Sequence, residues 1–219
     1  MKRFIPLFII LYYFIYSYTI DLPFIILNIS FNNIPLYLYN LYSISTQIIF
    51  ISSIIYIYRE DLTKNMNDFK VNYKKYFKMG FKYWFIGLNI MIISNILISL
   101  YTSIDLPENE EIVRKLFDMS PLLMSISIIF LAPLGEELIF RKTLFNLIPY
   151  KWIYILLSGL IFGGLHIIGT DSLSSVLYII PYSVLGIAFA YLYYKTRNIF
   201  PSIIMHAIHN IISIIGLIL

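Results

Sequence analysis

The chain has 219 residues, of which 59% are apolar and only 13% charged, with a mean hydropathy of +0.79 and a formal charge of +4. A water-soluble domain of this size has no interior able to hold so much apolar surface, so that class is excluded. With no cysteine, disulfide scaffolds, thiolate zinc sites and thiol nucleophiles are excluded as well.

Apolar stretches long enough to cross about 30 Å of hydrocarbon recur along the chain. They predict an all-α fold, a polytopic transmembrane helix bundle with about seven spanning helices. In chain order these are Phe4–Ile20, Ile34–Tyr58, Tyr83–Tyr101, Pro121–Leu147, Trp152–Ile168, Leu173–Tyr194 and Ile199–Leu219. Lys2 and Arg3 precede the first in the manner of a signal peptide, but no small-x-small site follows it, which predicts a retained anchor.

An amino terminus in the cytoplasm places most of the 16 lysines and arginines on one side: Lys2, Arg3, a basic loop from Arg59 to Lys82, the turn around Lys142 to Lys151, and Lys195 with Arg197. Arg114 and Lys115 remain opposite, in a loop that also carries Asp105, Glu108, Glu110, Glu111 and Asp118. The arrangement satisfies the positive-inside rule, and tyrosines near the span ends form an interfacial belt. The loop from Arg59 to Lys82 interleaves aromatic and basic residues. Its place beside a span predicts contact with anionic lipid headgroups and argues against nucleic acid as a partner.

Charged side chains inside a span are costly and mark functional sites. The fourth span carries Glu136, Glu137 and Arg141, the fifth Phe162 and His166, and the seventh His206, His209 and Asn210. Glu137 and Arg141 are four apart with the acid first, the favourable order for an ion pair on one helix. Glu136 points about 100° away and has no mate at that spacing. It therefore needs a partner on another helix or a proton, and a poorly hydrated carboxyl with raised proton affinity suits general acid–base work. Pro133, one turn earlier, removes a backbone donor and predicts a distortion beside Glu136.

Counting from the turn at Pro149 and Tyr150, an antiparallel hairpin brings Glu136 and His166 to within a turn of the same depth. Gly159, Gly163 and His166 share a face on which a neighbouring backbone can approach closely. His206 and Asn210, four apart, share a face at a comparable depth. One unpaired acid, two histidines and an amide at matched depths predict a shared polar site. His209 lies about 100° from Asn210 around its helix and belongs to no such set.

Glu136-Glu137-x-x-x-Arg141, Phe162-x-x-x-His166 and His206-x-x-x-Asn210, in this order, resemble the motifs of the CAAX protease and bacteriocin-processing (CPBP, or Abi) intramembrane proteases, a family that includes the type II CAAX prenyl endopeptidases. The resemblance covers about Pro121 to Ile212. The chain then reads as one integral membrane domain: residues 1–120 supply amino-terminal helices and the basic loop and share only general hydrophobicity with the family, and for 121–219 the resemblance implies a catalytic helical core. It implies Glu136 as the catalytic glutamate, His166 as its partner in activating a water, and His206 with Asn210 as stabilisers of the oxyanion. Glu137, Arg141 and Phe162 are supporting residues in this scheme. An imidazole and a carboxamide are suitable donors to a tetrahedral oxyanion.

Members of this family are often called metalloproteases, and Glu136, His166 and His206 could form a zinc site with an open position for water. The chain lacks the His-Glu-x-x-His helix of zincins, and the same residues explain a glutamate-activated water without metal. The resulting expectation is a peptidase in a bacterial cell membrane that cuts a membrane-associated peptide or protein. Two alternatives are a proton relay or transporter, and an idle bacteriocin-immunity scaffold.

Overall fold

The computed structural model describes residues 4–29, 34–102, 108–168 and 175–218. Lys2, Arg3, Asp105, Leu173 and Leu219, used above in placing spans and charges, lie outside the described residues. The described residues form helices and turns, and no strand occurs among them. The helices are α1 (Ile5–Thr19), the short α2 (Leu22–Ile26), α3 (Leu36–Thr102), α4 (Glu108–Met119), α5 (Pro121–Leu147), α6 (Lys151–Leu165), α7 (Ile179–Thr196) and α8 (Phe200–Ile218). A short 3₁₀ turn, Ser175–Tyr178, leads into α7. The all-α class expected from hydropathy is borne out.

Helix α3 corrects the expected layout. The second and third predicted spans and the basic loop between them are one helix of 67 residues. The chain has no proline between Pro35 and Pro107, and Lys, Glu, Asp and Asn do not break a helix as proline does. The fall in hydropathy from Arg59 to Lys82 therefore marks a change of surroundings and not a loss of helix.

The path of α3 follows from its neighbours. Ser127 of α5 donates to Gln47, Tyr58 meets Thr143, and Lys142 pairs with Asp61 at 2.8 Å, so this half runs in the same sense as α5. Further on, Asn198 donates to the Asn65 carbonyl and to Asp68, Tyr83 packs on Tyr191, and a Cβ on Gly87 would touch Ala188, so the second half runs against α7. Leu97 and Tyr101 then line one groove with Leu177 and Ile180. Helix α6 is antiparallel to both α5 and α7, as the contacts of Ser158 with Arg141 and of Gly159 with Gly186 require. The middle of α3 thus sits at the basic end of the bundle and both its termini at the other end. The helix is bent, and Tyr76 donates to Asp68 eight residues earlier, across about 12 Å of straight helical rise.

Three helices are long and apolar enough to cross a membrane, Tyr37–Thr102, Pro121–Leu147 and Ser175–Thr196. Ile5–Thr19, Lys151–Leu165 and Phe200–Gly216 are apolar but shorter. Many large apolar side chains face outward on α1 and α3, among them Phe8, Ile49 and Leu97. This is the surface of a protein solvated by lipid.

Helices α6 and α7 make the closest pair. A Cβ on Gly163 would lie 2.7 Å from the Ser183 nitrogen and 2.8 Å from the Ile179 carbonyl, so only glycine fits there. Two apolar clusters result. One joins α1, the first half of α3, α5, α6 and α7 around Ile54, Leu138, Tyr154 and Phe162. The other joins the second half of α3 to α7 and α8 around Trp84, Phe189 and Met205. The polar residues lie between them.

Candidate active site

The site is built on α5, which is not a regular helix. Its backbone passes through two π-type turns, Ser127–Leu131 and Glu137–Thr143, on either side of Pro133 and Glu136. Such widenings recur at functional positions. In the second, the Thr143 hydroxyl donates to the Leu138 carbonyl at 2.8 Å and meets Tyr58 Oη at 3.1 Å.

Glu137 and Arg141 are both 0% exposed, and Arg141 Nε donates to Glu137 Oε2 at 3.1 Å, the ion pair that their spacing predicts. The guanidinium also reaches α6, where Nη1 donates to Ser158 Oγ at 3.0 Å while that hydroxyl donates to the Phe140 carbonyl at 2.6 Å. Its carbon lies 4.9 Å from the centre of the Phe162 ring. A buried ion pair is tolerated only when its remaining hydrogen-bonding capacity is used, and here α6 uses much of it.

The second oxygen of Glu137 holds His206 of α8, with Nδ1 3.0 Å from Oε1. Phe189 stacks on the imidazole at 5.1 Å and 26°, and Phe162 meets it edge-on at 5.7 Å. An Nδ1–H donated to Glu137 turns Nε2 outward, and Nε2 lies 3.7 Å from Glu136 Oε2. That distance is too long for a direct hydrogen bond and short enough for one water to touch both atoms. The Glu136 side chain keeps 27% of its surface exposed.

Pro133 explains the place of Asn210. In the first π-type turn, the Ala132 nitrogen donates to the Ser127 carbonyl instead of to Ile128. The next residue, Pro133, has no N–H, so the Ile128 carbonyl loses both its helical donors. Asn210 Nδ2 supplies the missing hydrogen bond from α8 at 2.7 Å. The amide nitrogen has a second hydrogen left.

His166 follows the last residue of α6 and its Nδ1 lies 2.8 Å from the Phe162 carbonyl, so Nδ1 carries a proton and Nε2 is the free nitrogen. Its ring stacks on Tyr182 at 4.6 Å. His166, His206, His209 and Asn210 all line one cavity of about 290 Å³, together with Tyr178 of the 3₁₀ turn, Leu185 of α7, Met91 and Asn95 of α3, and Glu110 of α4. Glu136 is not among the residues lining it and reaches the group through His206.

The residues read from sequence are thus distributed as follows. The structure brings Glu136, Glu137, Arg141, Phe162 and His206 into one connected network, with Asn210 one turn beyond His206. His166 shares the cavity, but neither of its nitrogens comes within 4.0 Å of a Glu136 oxygen; the imidazole beside Glu136 is that of His206. His209 and Glu110, which the sequence places outside the shared polar set, line the cavity, and Ser158, which the sequence does not single out, holds Arg141. The place of His209 was readable, since three residues from His206 puts it on nearly the same helical face.

Among the described residues no three His, Asp or Glu side chains converge on a common point at which a metal ion could sit. His206 gives Nδ1 to a carboxylate and His166 gives Nδ1 to a carbonyl, and Glu136 and His166 do not meet. The arrangement does not fit the zinc site considered above, and no step is derived through a metal.

Ionisable side chains gathered between the apolar helices of a membrane bundle mark a functional site. Comparison with known proteins narrows the class. Residues 118–212 match the family described as type II CAAX prenyl endopeptidase Rce1-like. The chain is 30% identical over 111 residues to the "Putative membrane peptidase YdiL" of Bacillus subtilis, covering 49% of this chain and 42% of that protein. It is 34% identical over 88 residues to an "Uncharacterized protein" of Mycoplasma capricolum, covering 40% of this chain and 25% of the relative. The "UPF0177 protein YxdF" of Lactococcus lactis is 31% identical over 81 residues, 37% of this chain and 42% of the relative. The chain spans less than half the length of each of these relatives in its matched region. No solved structure matches the chain at the significance these relatives reach. The resemblance read from the motifs is borne out over residues 118–212, which match this protease family.

Proposed function

We propose that the chain is a membrane-embedded endopeptidase that cuts a membrane-associated peptide or protein, with a water held between Glu136 and His206 as nucleophile. The observation that carries this reading is the bracketing of His206: Nδ1 is bound to a carboxylate that is itself fixed by a buried arginine, and Nε2 faces Glu136 across a gap of 3.7 Å. The protease family matched by residues 118–212 supports the reaction class.

In this scheme Glu136 takes a proton from the water as its oxygen attacks the carbonyl carbon of the scissile bond. The carbonyl oxygen becomes an oxyanion. His206 in its protonated form and the free hydrogen of the Asn210 amide are the donors able to reach it. When the C–N bond breaks, Glu136 returns its proton to the departing nitrogen, which leaves a new carboxyl terminus and a new amine. Glu137 and Arg141 act through His206, holding the ring in one tautomer and orientation. Met91, Phe162, Leu185 and Ile214 line the cavity beside its polar groups and suit a substrate with apolar side chains.

The test is cleavage in liposomes loaded with a pH dye. Purified protein is mixed with fluorescein-labelled apolar peptides, products are read by mass spectrometry, and proton leak is read from the dye. New peptide termini without leak support the peptidase; leak without new termini contradicts it and favours a proton relay.

A further inference from the structure

One polar group in the cavity is buried without a hydrogen-bond partner among the described residues. It is Nδ1 of His209, a residue that is 9% exposed. The Ser213 hydroxyl donates to the His209 backbone carbonyl at 3.1 Å, which leaves the ring uncommitted. His206, one turn earlier, has both nitrogens turned toward carboxylates, and His166 has given one to a carbonyl. A buried unpaired nitrogen destabilises the fold, and such a group in a folded protein calls for an explanation.

An occupant supplies one. A peptide drawn into this cavity loses water from its own backbone, and each buried N–H and C=O then needs a partner. An imidazole offers one donor and one acceptor and can meet either group. We propose that His209 is a substrate-positioning residue whose Nδ1 hydrogen-bonds a backbone amide group of the bound peptide next to the bond that is cut. The residue takes no part in proton transfer. This inference rests on the peptidase reading, since it assumes that the occupant is a peptide.

Binding without turnover tests it. In a Glu136→Gln background, the affinity for fluorescein-labelled random decapeptides of Leu, Ala, Ser and Gly is measured in detergent micelles with His209 intact, with His209→Leu and with His209→Asn. The Asn carboxamide places a polar atom close to the position of Nδ1, and Leu does not. The expected result is a Kd raised about tenfold by Leu, the loss of one hydrogen bond to a buried partner, and kept within threefold by Asn. The unfolding midpoint of the Leu variant is expected not to fall, because an unpaired buried nitrogen has been removed. Equal Kd values for all three overturn the proposal, as does a Kd loss that follows a fall in midpoint, and so does a failure of the peptides to bind any of the three. Binding that depends on His209 while wild-type protein cuts none of the peptides would defeat the peptidase reading and leave the binding role standing.

Discussion

Replacing Arg141 by Met keeps an unbranched side chain on α5 and removes the charge. Glu137 then lies at 0% exposure with its ion-pair mate gone and His206 Nδ1 3.0 Å away, Ser158 Oγ loses the guanidinium at 3.0 Å, and Phe162 loses the cation 4.9 Å from its ring centre. Removing one member of a buried ion pair costs about 3–5 kcal/mol, because the other charge remains buried without compensation. That is a large part of the total stability of an ordinary domain. Unfolding by SDS titration in mixed micelles measures the loss, with Glu137→Gln and the double variant completing a cycle. The double variant is expected to be more stable than Arg141→Met alone, since it leaves no orphaned charge, and the two single losses should fail to add. A loss below about 1 kcal/mol for Arg141→Met, or strict additivity in the cycle, would refute the view that this pair is the buried brace of the site.

Three further outcomes are expected. Gly163→Ala should destabilise by about 1–3 kcal/mol, because its methyl would meet Ser183 and the backbone of α7. Gly164→Ala, where a Cβ meets nothing within 4 Å, should be neutral or slightly stabilising, and thermal unfolding of the pair reads the contrast. Asp68, on the charged middle of α3, has its carboxyl held below the usual range by hydrogen bonds from Tyr76 and Asn198. Its contribution is therefore complete above the ordinary carboxylate value and is lost as pH falls through the lowered one. Asp68→Asn should lose stability at neutral pH and show a shallower decline on acidification, while an unchanged acid-unfolding curve would contradict this. Pro133→Ala should restore a backbone donor to α5 that competes with Asn210 for the Ile128 carbonyl, and amide exchange at residue 133 would show whether that new hydrogen bond forms.

Much of the site was legible because helical spacing alone determines which charges share a face. The Glu137–Arg141 pair, the isolation of Glu136 from it and the close approach at Gly159 and Gly163 all follow from 3.6 residues per turn. The partner of Glu136 was not legible. Depth counting admits His166 and His206 equally, and the choice depends on rotamers set by Phe189, Phe162 and Glu137. The continuity of α3 was missed because hydropathy was read as a sign of secondary structure. The run of chain without proline from 36 to 106 was the better guide. Pro133 was visible as a distortion, but its effect on Asn210 requires the register of a π-type turn, which composition does not reveal.

The central claim is that the Glu136 carboxylate activates the water that His206 faces. It is tested most directly by the cleavage rate of Glu136→Gln against wild-type protein in the same liposomes, at matched unfolding midpoints. The account predicts a loss of about 10²–10⁴-fold, the contribution of a positioned general base. A rate within threefold of wild type would contradict it.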